Sequence, residues 1–461
     1  MSTPSEPAPK PSSAAHTSPT PPPLSGAEMV EACRAHTLYT WSANAHVSPL
    51  PVVGAEGSYV HLADGRRLLD WNAGAMSVHV GYGDPRVREA MKRQLDELPF
   101  AVAGAATPVR ARLGRLLAAT LPGDIDKFLF CSSGAEANEN AIRMARAVTG
   151  RPKILARYRS YHGSTAGAIQ LTGDPRRWPN EPGMPGVIHV LDPQPYAYSF
   201  GATEEDRARN NLAYLREVIE AEGPHTIAAV FIEPVTGTNG VLPPPPGYLA
   251  GLRALCDEHG ILLVADEVMT GFGRTGKWFA FEHGEILPDI VTMAKGVTSS
   301  YAPLGVVGMR PHVAAFFDEH VYWGGHTYNA HPLGLAAAEA VIGILRDDGL
   351  VERSARLGVT LREGLDRLRA SHPSVGAVRS LGLFGMIDLQ RDRQGTPMSP
   401  LNQTSAPVVA FKRRLLEEGL LAHTRWANVM CAPPLTISED DLALGLDILD
   451  RALGELDRHV A

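Results

Sequence analysis

The sequence predicts an α/β fold organised on a mostly parallel sheet, and three observations support it. Short apolar runs of strand length recur along the chain, among them Ile261 to Ala265 and TIAAVFIEP at 226–234. Segments with helical apolar spacing separate them, as βαβ units require. The chain has 461 residues, 44 % apolar and 20 % charged, which is ample for a large core and ordinary for a soluble globular enzyme.

Taken in order, residues 1–25 read as a disordered tail, because their proline and serine content cannot build a packed core. With no apolar signal core and no arginine, the stretch reads as neither a secretory signal nor a convincing transit peptide. From Gly26 the composition turns globular with a short helix. GAEGSYVHLADGRRLLDWNAG alternates around the Asp64-Gly65 dipeptide, a hairpin signal. In 84–98, Asp84 and Pro85 open a helix with Val87, Met91 and Leu95 on one face, and 107–123 repeats that pattern.

Residues 127–150 run from a strand (Phe128 to Cys131) through Ser132-Ser133-Gly134 into a long helix closed by Gly150. Residues 153–173 repeat strand, turn and helix, with Tyr161-His162-Gly163 at the turn. The proline-rich stretch 174–203 reads as a long surface excursion, and 204–223 as an amphipathic helix. Glu233 stands near the end of its strand, Asp266 and Glu267 end the run from Ile261, and Ile290 to Met293 delivers Lys295. Beyond Leu350, helices at 350–370, 405–418 and 438–458 alternate with strand-like pieces such as SLGLFGMIDLQ. The expected organisation is an N-terminal segment of a small α+β domain (26–80), a large domain (81–345) and the rest of the small domain (346–461).

Composition excludes several functions. The net charge is −7 without a basic block, so nucleic acid and anionic membrane are poor partners. No apolar run reaches the length of a membrane span. Cys33, Cys131, Cys256 and Cys431 are far apart and lack CxxC spacing, which argues against zinc and disulfides and fits a reducing cytoplasm. No metal is expected.

Ligands of open parallel sheets bind outside the carboxyl ends of the strands. That rim would present Asp266 and Lys295 together, the minimal equipment for pyridoxal 5′-phosphate (PLP), whose lysine linkage works with an acid at the pyridinium nitrogen. A small-residue turn opening a helix offers free N–H groups and the positive helix end to a phosphate, although a plain serine cap has the same pattern. Tyr161 and His162 could stack on a planar cofactor or simply pack a turn.

SSGAEANENAIRMAR, YHGST, FIEPV, LLVADEVMTGFGRTG, AKG, APLG and GGHTYNAHP occur in the order and spacing of the class III PLP-dependent aminotransferases. The chain resembles that family from about His36 to its C-terminus, with the closest likeness to the ω-amino acid, taurine and 4-aminobutyrate branch. The resemblance implies PLP fold type I, the aspartate-aminotransferase type. That fold has a large, mostly parallel seven-stranded sheet domain, a small α+β domain and an active site at a homodimer interface. It implies that Lys295 is the Schiff-base lysine, Asp266 the partner of the pyridine nitrogen, Val268 and Tyr161 the two ring-face contacts, and His162 their neighbour. Ser133, Gly134 and Ala135 match the phosphate turn, and Thr327 the threonine that reaches the neighbouring subunit's phosphate. Glu233 matches a glutamate that pairs with a mobile arginine, and Arg425 that arginine, which binds the acceptor's carboxylate. Trp41 and Met76 are pocket candidates on the same basis. The implied reaction moves an amine from an ω-amino acid (taurine, β-alanine or 4-aminobutyrate type) to pyruvate or 2-oxoglutarate. An isomerase of the glutamate-1-semialdehyde aminomutase type and a PLP-binding protein without turnover are the alternatives.

Overall fold

The computed structural model describes residues 24–196 and 198–461. The expected disordered tail therefore lies outside the described residues except at its last two positions. The chain forms two compact units, residues up to 54 together with 61–66, and residues 55–60 together with 67–461. In the first unit, Ser25 caps the helix Gly26–His36 in a reciprocal box: its Oγ accepts from Glu28 N at 3.3 Å and its N–H donates to Glu28 Oε2 at 2.8 Å.

The second unit is built on seven strands: β1 (Lys127–Cys131), β2 (Lys153–Arg157), β3 (Val187–Val190), β4 (Ile227–Ile232), β5 (Leu262–Asp266), β6 (Ile290–Met293) and β7 (Gly305–Met309). Their spatial order is β1-β7-β6-β5-β4-β2-β3. Neighbours from β3 to β6 run parallel, while β7 is antiparallel to both β1 and β6. Between β6 and β7 there is no crossover helix, only the short turn Lys295–Val297, and a direct return of that kind reverses the strand. Strands β4, β5, β6 and β7 are buried at every position, which explains their unbroken apolar runs. The helix Gly134–Thr149 turns Ala137, Ala141, Met144 and Ala145 into a core shared with Ile154, Val264 and Val307.

One expectation is corrected here. The stretch 174–203 is not an excursion alone, because it contains the turn Pro175–Asn180 and the edge strand β3, with Ile188 opposite Leu155. An edge strand needs one ladder partner only, so prolines can flank it, and four residues reading VIHV carry little periodic signal.

The smaller domain holds a second, antiparallel sheet made of β8 (Val375–Ser380), β9 (Gly385–Leu389), β10 (His423–Arg425) and β11 (Asn428–Cys431), in the order β8-β9-β11-β10. The helices Leu350–Ser371, Ala406–Glu417 and Glu439–Leu456 accompany it. Arg274, fully buried in the segment after β5, donates to the carbonyls of Leu383 (3.0 Å) and Pro433 (2.5 Å) and so ties the large sheet to this domain. No helix among the described residues is long and apolar enough to cross a membrane. All four cysteines are free thiols, and burial pushes those of Cys131, Cys256 and Cys431 up to about 12.

His372 clamps the last helical segment, with Nδ1 2.7 Å from Asp457 and Nε2 3.0 Å from Asp450. Burial opposes a charge there, but the two carboxylates outweigh it and raise the imidazole pKa above its ordinary value. The clamp therefore stabilises most below the unfolded value of ~6.5, and that contribution fades as pH rises through the folded pKa. His372→Asn is expected to lower Tm clearly at about pH 6 and much less at about pH 8.5, which paired thermal melts would check.

Candidate active site

Strands β5 and β6 are parallel neighbours, with Asp266 opposite Thr292, so their carboxyl ends open on one rim. Asp266 is the last residue of β5, and Lys295 follows β6 by two positions. Lys295 has φ +42°, a left-handed conformation that a lysine seldom adopts. Glu233 follows β4, Tyr161 and His162 follow β2, and Gly134 starts the helix after β1. Ser133 caps that helix, its Oγ accepting from Glu136 N at 3.2 Å. Gly134, Ala135, Tyr161, His162, Glu233, Asp266, Val268, Met269 and Lys295 line one cavity of ~180 Å³.

Asp266 is buried and fully engaged. Its Oδ2 accepts from Asn138 Nδ2 and lies on His162 Nδ1, both at 2.8 Å, and its Oδ1 accepts from Val268 N at 3.0 Å. Asn138 is itself fixed, donating to His162 O at 2.7 Å and accepting from Thr292 Oγ1 at 2.7 Å. Burial lowers the Lys295 pKa to about 8, against the pull of Asp266 and Glu233 and with a further push from Arg176 and Arg274. Glu233 is raised, first by burial and partly offset by His162. Its Oε1 accepts from Tyr161 N at 2.9 Å and its Oε2 from Gly237 N at 2.8 Å.

Beside the cavity stands a charged cluster. The Arg176 guanidinium lies over the Tyr161 ring, 3.6 Å from its centroid, and its Nη2 is 2.6 Å from Asp174 Oδ2. Arg425 Nη2 reaches the same oxygen at 3.1 Å, and its guanidinium lies 4.1 Å from the Trp426 ring centroid. Asn239 Nδ2 donates to Asp174 Oδ2 at 3.0 Å.

The structure thus gathers Lys295, Asp266, Glu233, Tyr161, His162, Val268, Gly134 and Ala135, with Ser133 at the adjoining cap. Arg425 pairs with Asp174 here, whereas Glu233 spends both oxygens on backbone N–H groups. Met76 is buried in an apolar cluster with Met269, a residue of the cavity wall. Thr327 is exposed, in the segment before the helix Pro332–Asp347. Trp41 belongs to the N-terminal unit and is 62 % exposed. Sequence reasoning missed Asn138, Thr292, Asp174, Arg176 and Asn239. Only Asp174 left a signal, the Asp-Pro pair that opens a helical turn.

The residues fit a flat, anionic cofactor. A Cβ on Gly134 would lie 2.8 Å from a Val268 methyl, and one on Gly163 (φ +136°) 2.6 Å from Ala135 Cβ, so both turns bring bare backbone to the cavity. His162 Nε2 is buried with no partner among the described residues. The helix end, the held carboxylate and the amine match a phosphate, a ring nitrogen and an aldehyde in turn.

The family model "Aminotransferase class-III" matches residues 40–453. The chain belongs to the class-III aminotransferases. It is 35 % identical over 442 residues to the taurine–pyruvate aminotransferase of Bilophila wadsworthia, an alignment covering 91 % of this chain and 96 % of that one. It is 33 % identical over 411 residues to a probable 4-aminobutyrate aminotransferase of Bacillus subtilis, covering 87 % and 92 %. The crystal structure of the taurine:2-oxoglutarate aminotransferase of Bifidobacterium kashiwanohense, in complex with PLP and glutamate, superposes with a TM-score of 0.92 at 34 % identity over 95 % of this chain and 100 % of that one. A thermostable (S)-enantioselective ω-transaminase of Thermomicrobium roseum gives 0.88 at 36 % identity over 94 % and 99 %. The chain is accordingly a PLP-dependent aminotransferase.

Asn138 is the positioning group of this site, since one amide joins Asp266, His162 and Thr292. Asn138→Ala is expected to cost about 1–3 kcal/mol of stability and to weaken PLP retention, because buried partners are left unpaired. Thermal melts and the cofactor absorbance of gel-filtered protein would measure both.

Proposed function

We propose that this enzyme transaminates an ω-amino acid of the taurine, β-alanine or 4-aminobutyrate type, with pyruvate or 2-oxoglutarate as amine acceptor. The observation that carries the proposal is the cluster beside Tyr161, in which two guanidiniums, Arg176 and Arg425, share one carboxylate, Asp174. That concentrates two guanidiniums next to the reacting amine, an arrangement suited to substrates that carry a second, acidic end. The names of the taurine–pyruvate and 4-aminobutyrate relatives support the same class.

PLP, when bound, supplies an electron-withdrawing ring that stabilises negative charge at the substrate carbon. The roles proposed for the chain's own residues follow from their places. Asp266, with three donors on its oxygens, would face the ring nitrogen and keep it protonated. Val268 and Tyr161 would close the two ring faces, His162 would brace Asp266, and Ser133, Gly134 and Ala135 would offer N–H groups to the phosphate. Lys295, once free, takes the proton from the substrate carbon on Nζ; a pKa of about 8 keeps a useful fraction of it neutral near physiological pH. Glu233 holds Tyr161 and the Gly237 turn in place through its two backbone hydrogen bonds. Arg176 anchors the distal acid of the donor, and Arg425 the carboxylate of the 2-oxo acid, while Met76 backs the pocket wall through Met269.

A panel of single amines added to the yellow holoenzyme tests this reading. Taurine, β-alanine or 4-aminobutyrate should bleach the visible band, with Lys295→Ala as the inactive control. Arg176→Gln should raise the KM for acidic donors by about 10- to 100-fold, the scale of a lost charge-assisted contact, while sparing an uncharged alkylamine. No response to any ω-amino acid would sink the proposal.

We also propose a homodimer in which Thr327 serves the partner's phosphate site. Its support is a set of exposed apolar side chains in two segments: Phe100 and Tyr328 both contact His331 at 5.9 Å between ring centroids, Val102 is 68 % exposed and Trp323 86 %. Trp323→Glu is expected to yield a monomer that retains PLP poorly, seen by sedimentation and cofactor absorbance; an intact dimer would count against these segments.

A further inference from the structure

Asp174 is crowded. It is 1 % exposed, and its Oδ2 accepts from Arg176 Nη2 at 2.6 Å, Asn239 Nδ2 at 3.0 Å and Arg425 Nη2 at 3.1 Å. Its Oδ1 takes the backbone N–H of Arg176 at 2.9 Å and its Nε at 3.1 Å. The two arginines are not equivalent. Arg176 is held from both sides of the carboxylate and by its own backbone, whereas Arg425 has one bond to it and a longer one, 3.4 Å, from Nη1 to Asn239 Oδ1. Arg425 also ends β10, directly before Trp426, whose φ of +54° starts the turn into β11. Of the pair, Arg425 is the guanidinium that another anion can draw away.

We propose that Asp174 is the resting partner of Arg425 and a specificity-determining residue for the amine acceptor. The proposal rests on the reading of Arg425 as the anchor of the 2-oxo acid. A donor without an α-carboxylate leaves Arg425 on Asp174, so that a guanidinium only 15 % exposed is never stranded without a counter-charge. An incoming 2-oxo acid must displace the Asp174 carboxylate from Arg425 before its own can bind. Asp174 therefore weakens every α-carboxylate by the bond it gives up, and in doing so keeps the donor half of the cycle from being blocked by acceptor. Glu233 is poorly placed for this role, because both its oxygens are occupied by Tyr161 N and Gly237 N.

The test uses the holoenzyme bleached by its donor amine, to which pyruvate is added while the return of the visible band is followed. Asp174→Asn is expected to lower the pyruvate concentration for half-maximal return about 5- to 10-fold, and the same change in an Arg425→Gln background less than about twofold. That non-additivity separates a hold on Arg425 from a structural cap on the Pro175–Asn180 turn, which would act equally in both backgrounds. Should Asp174→Asn fail to fold, Asn239→Asp adds a carboxylate beside Arg425 and must raise the half-maximal concentration. Equal effects in both backgrounds, or a fall with Asn239→Asp, overturn the proposal. An unsubstituted enzyme that no 2-oxo acid restores overturns the functional reading as well, whereas a responsive enzyme indifferent to Asp174 overturns this inference alone.

Discussion

The whole site depends on keeping a carboxylate and an amine buried within one small cavity. Asp266 ends one strand and Lys295 follows its parallel neighbour by two positions; Asp266 is buried, and Lys295 is held largely out of water on the cavity wall. Each charge then has to be compensated by the protein. Asp266 receives three donors, from Asn138, His162 and Val268, each held by a further bond or by the backbone. Burial outweighs the pull of Asp266 and Glu233 on Lys295, and its pKa falls to about 8. The asymmetry is chemically useful. An acid fixed by three hydrogen bonds stays in place, and an amine whose charge burial disfavours can lose and regain a proton.

The same constraint shapes the backbone around the lysine. Lys295 is held at φ +42°, and Ser299 and Ser300 in the following turn are also left-handed. Such conformations cost of order 1–3 kcal/mol each and persist only when the surroundings enforce them. The enforcement is visible in Gly296, where a Cβ would come within 2.3 Å of the His79 ring. His79 is fully buried, with Nδ1 on the Phe272 carbonyl at 3.1 Å. An imidazole thus packs close against the residue after the lysine, leaving no room for a Cβ, which is why the chain reads Lys-Gly at this point. Arg274, two residues beyond Phe272, carries the restraint on into the smaller domain through Leu383 and Pro433.

How much of this was legible depended on whether a residue's role is local. Fully buried strands such as β4 and β5 announce themselves as unbroken apolar runs, and the parallel sheet followed from their alternation with helices. Lys295, Asp266 and the Ser133-Gly134 turn were readable because each sits where a strand ends or a helix begins. The reversed direction of β7 was not readable, since an apolar run is the same in either direction. β3 was hidden because an edge strand between prolines needs neither length nor alternation. Asn138 and Thr292 look like ordinary helix and strand residues, and only the fold brings them to Asp266. Arg425 was singled out by resemblance to a family whose arginine pairs with a glutamate. Its partner in this chain lies 251 positions away in a loop, beyond the reach of any local pattern.

The choice of partner for that arginine has a consequence for selectivity. Glu233 stands close enough to Asp266 for the two charges to compete, and burial first and then Asp266 raise its pKa. By giving its oxygens to two backbone N–H groups, Glu233 becomes a brace for Tyr161 and is removed from anion exchange. In the proposed exchange Asp174 acts instead, and Arg176 and Asn239 would keep its carboxylate in place after Arg425 departs. The holding group therefore need not reorganise when substrate binds, and the only moving part is a single side chain at the tip of a hairpin. On the proposed reading, preorganisation of this kind would let one pocket alternate between an amine with one acidic end and a 2-oxo acid, with the difference borne by one guanidinium rather than by the sheet rim.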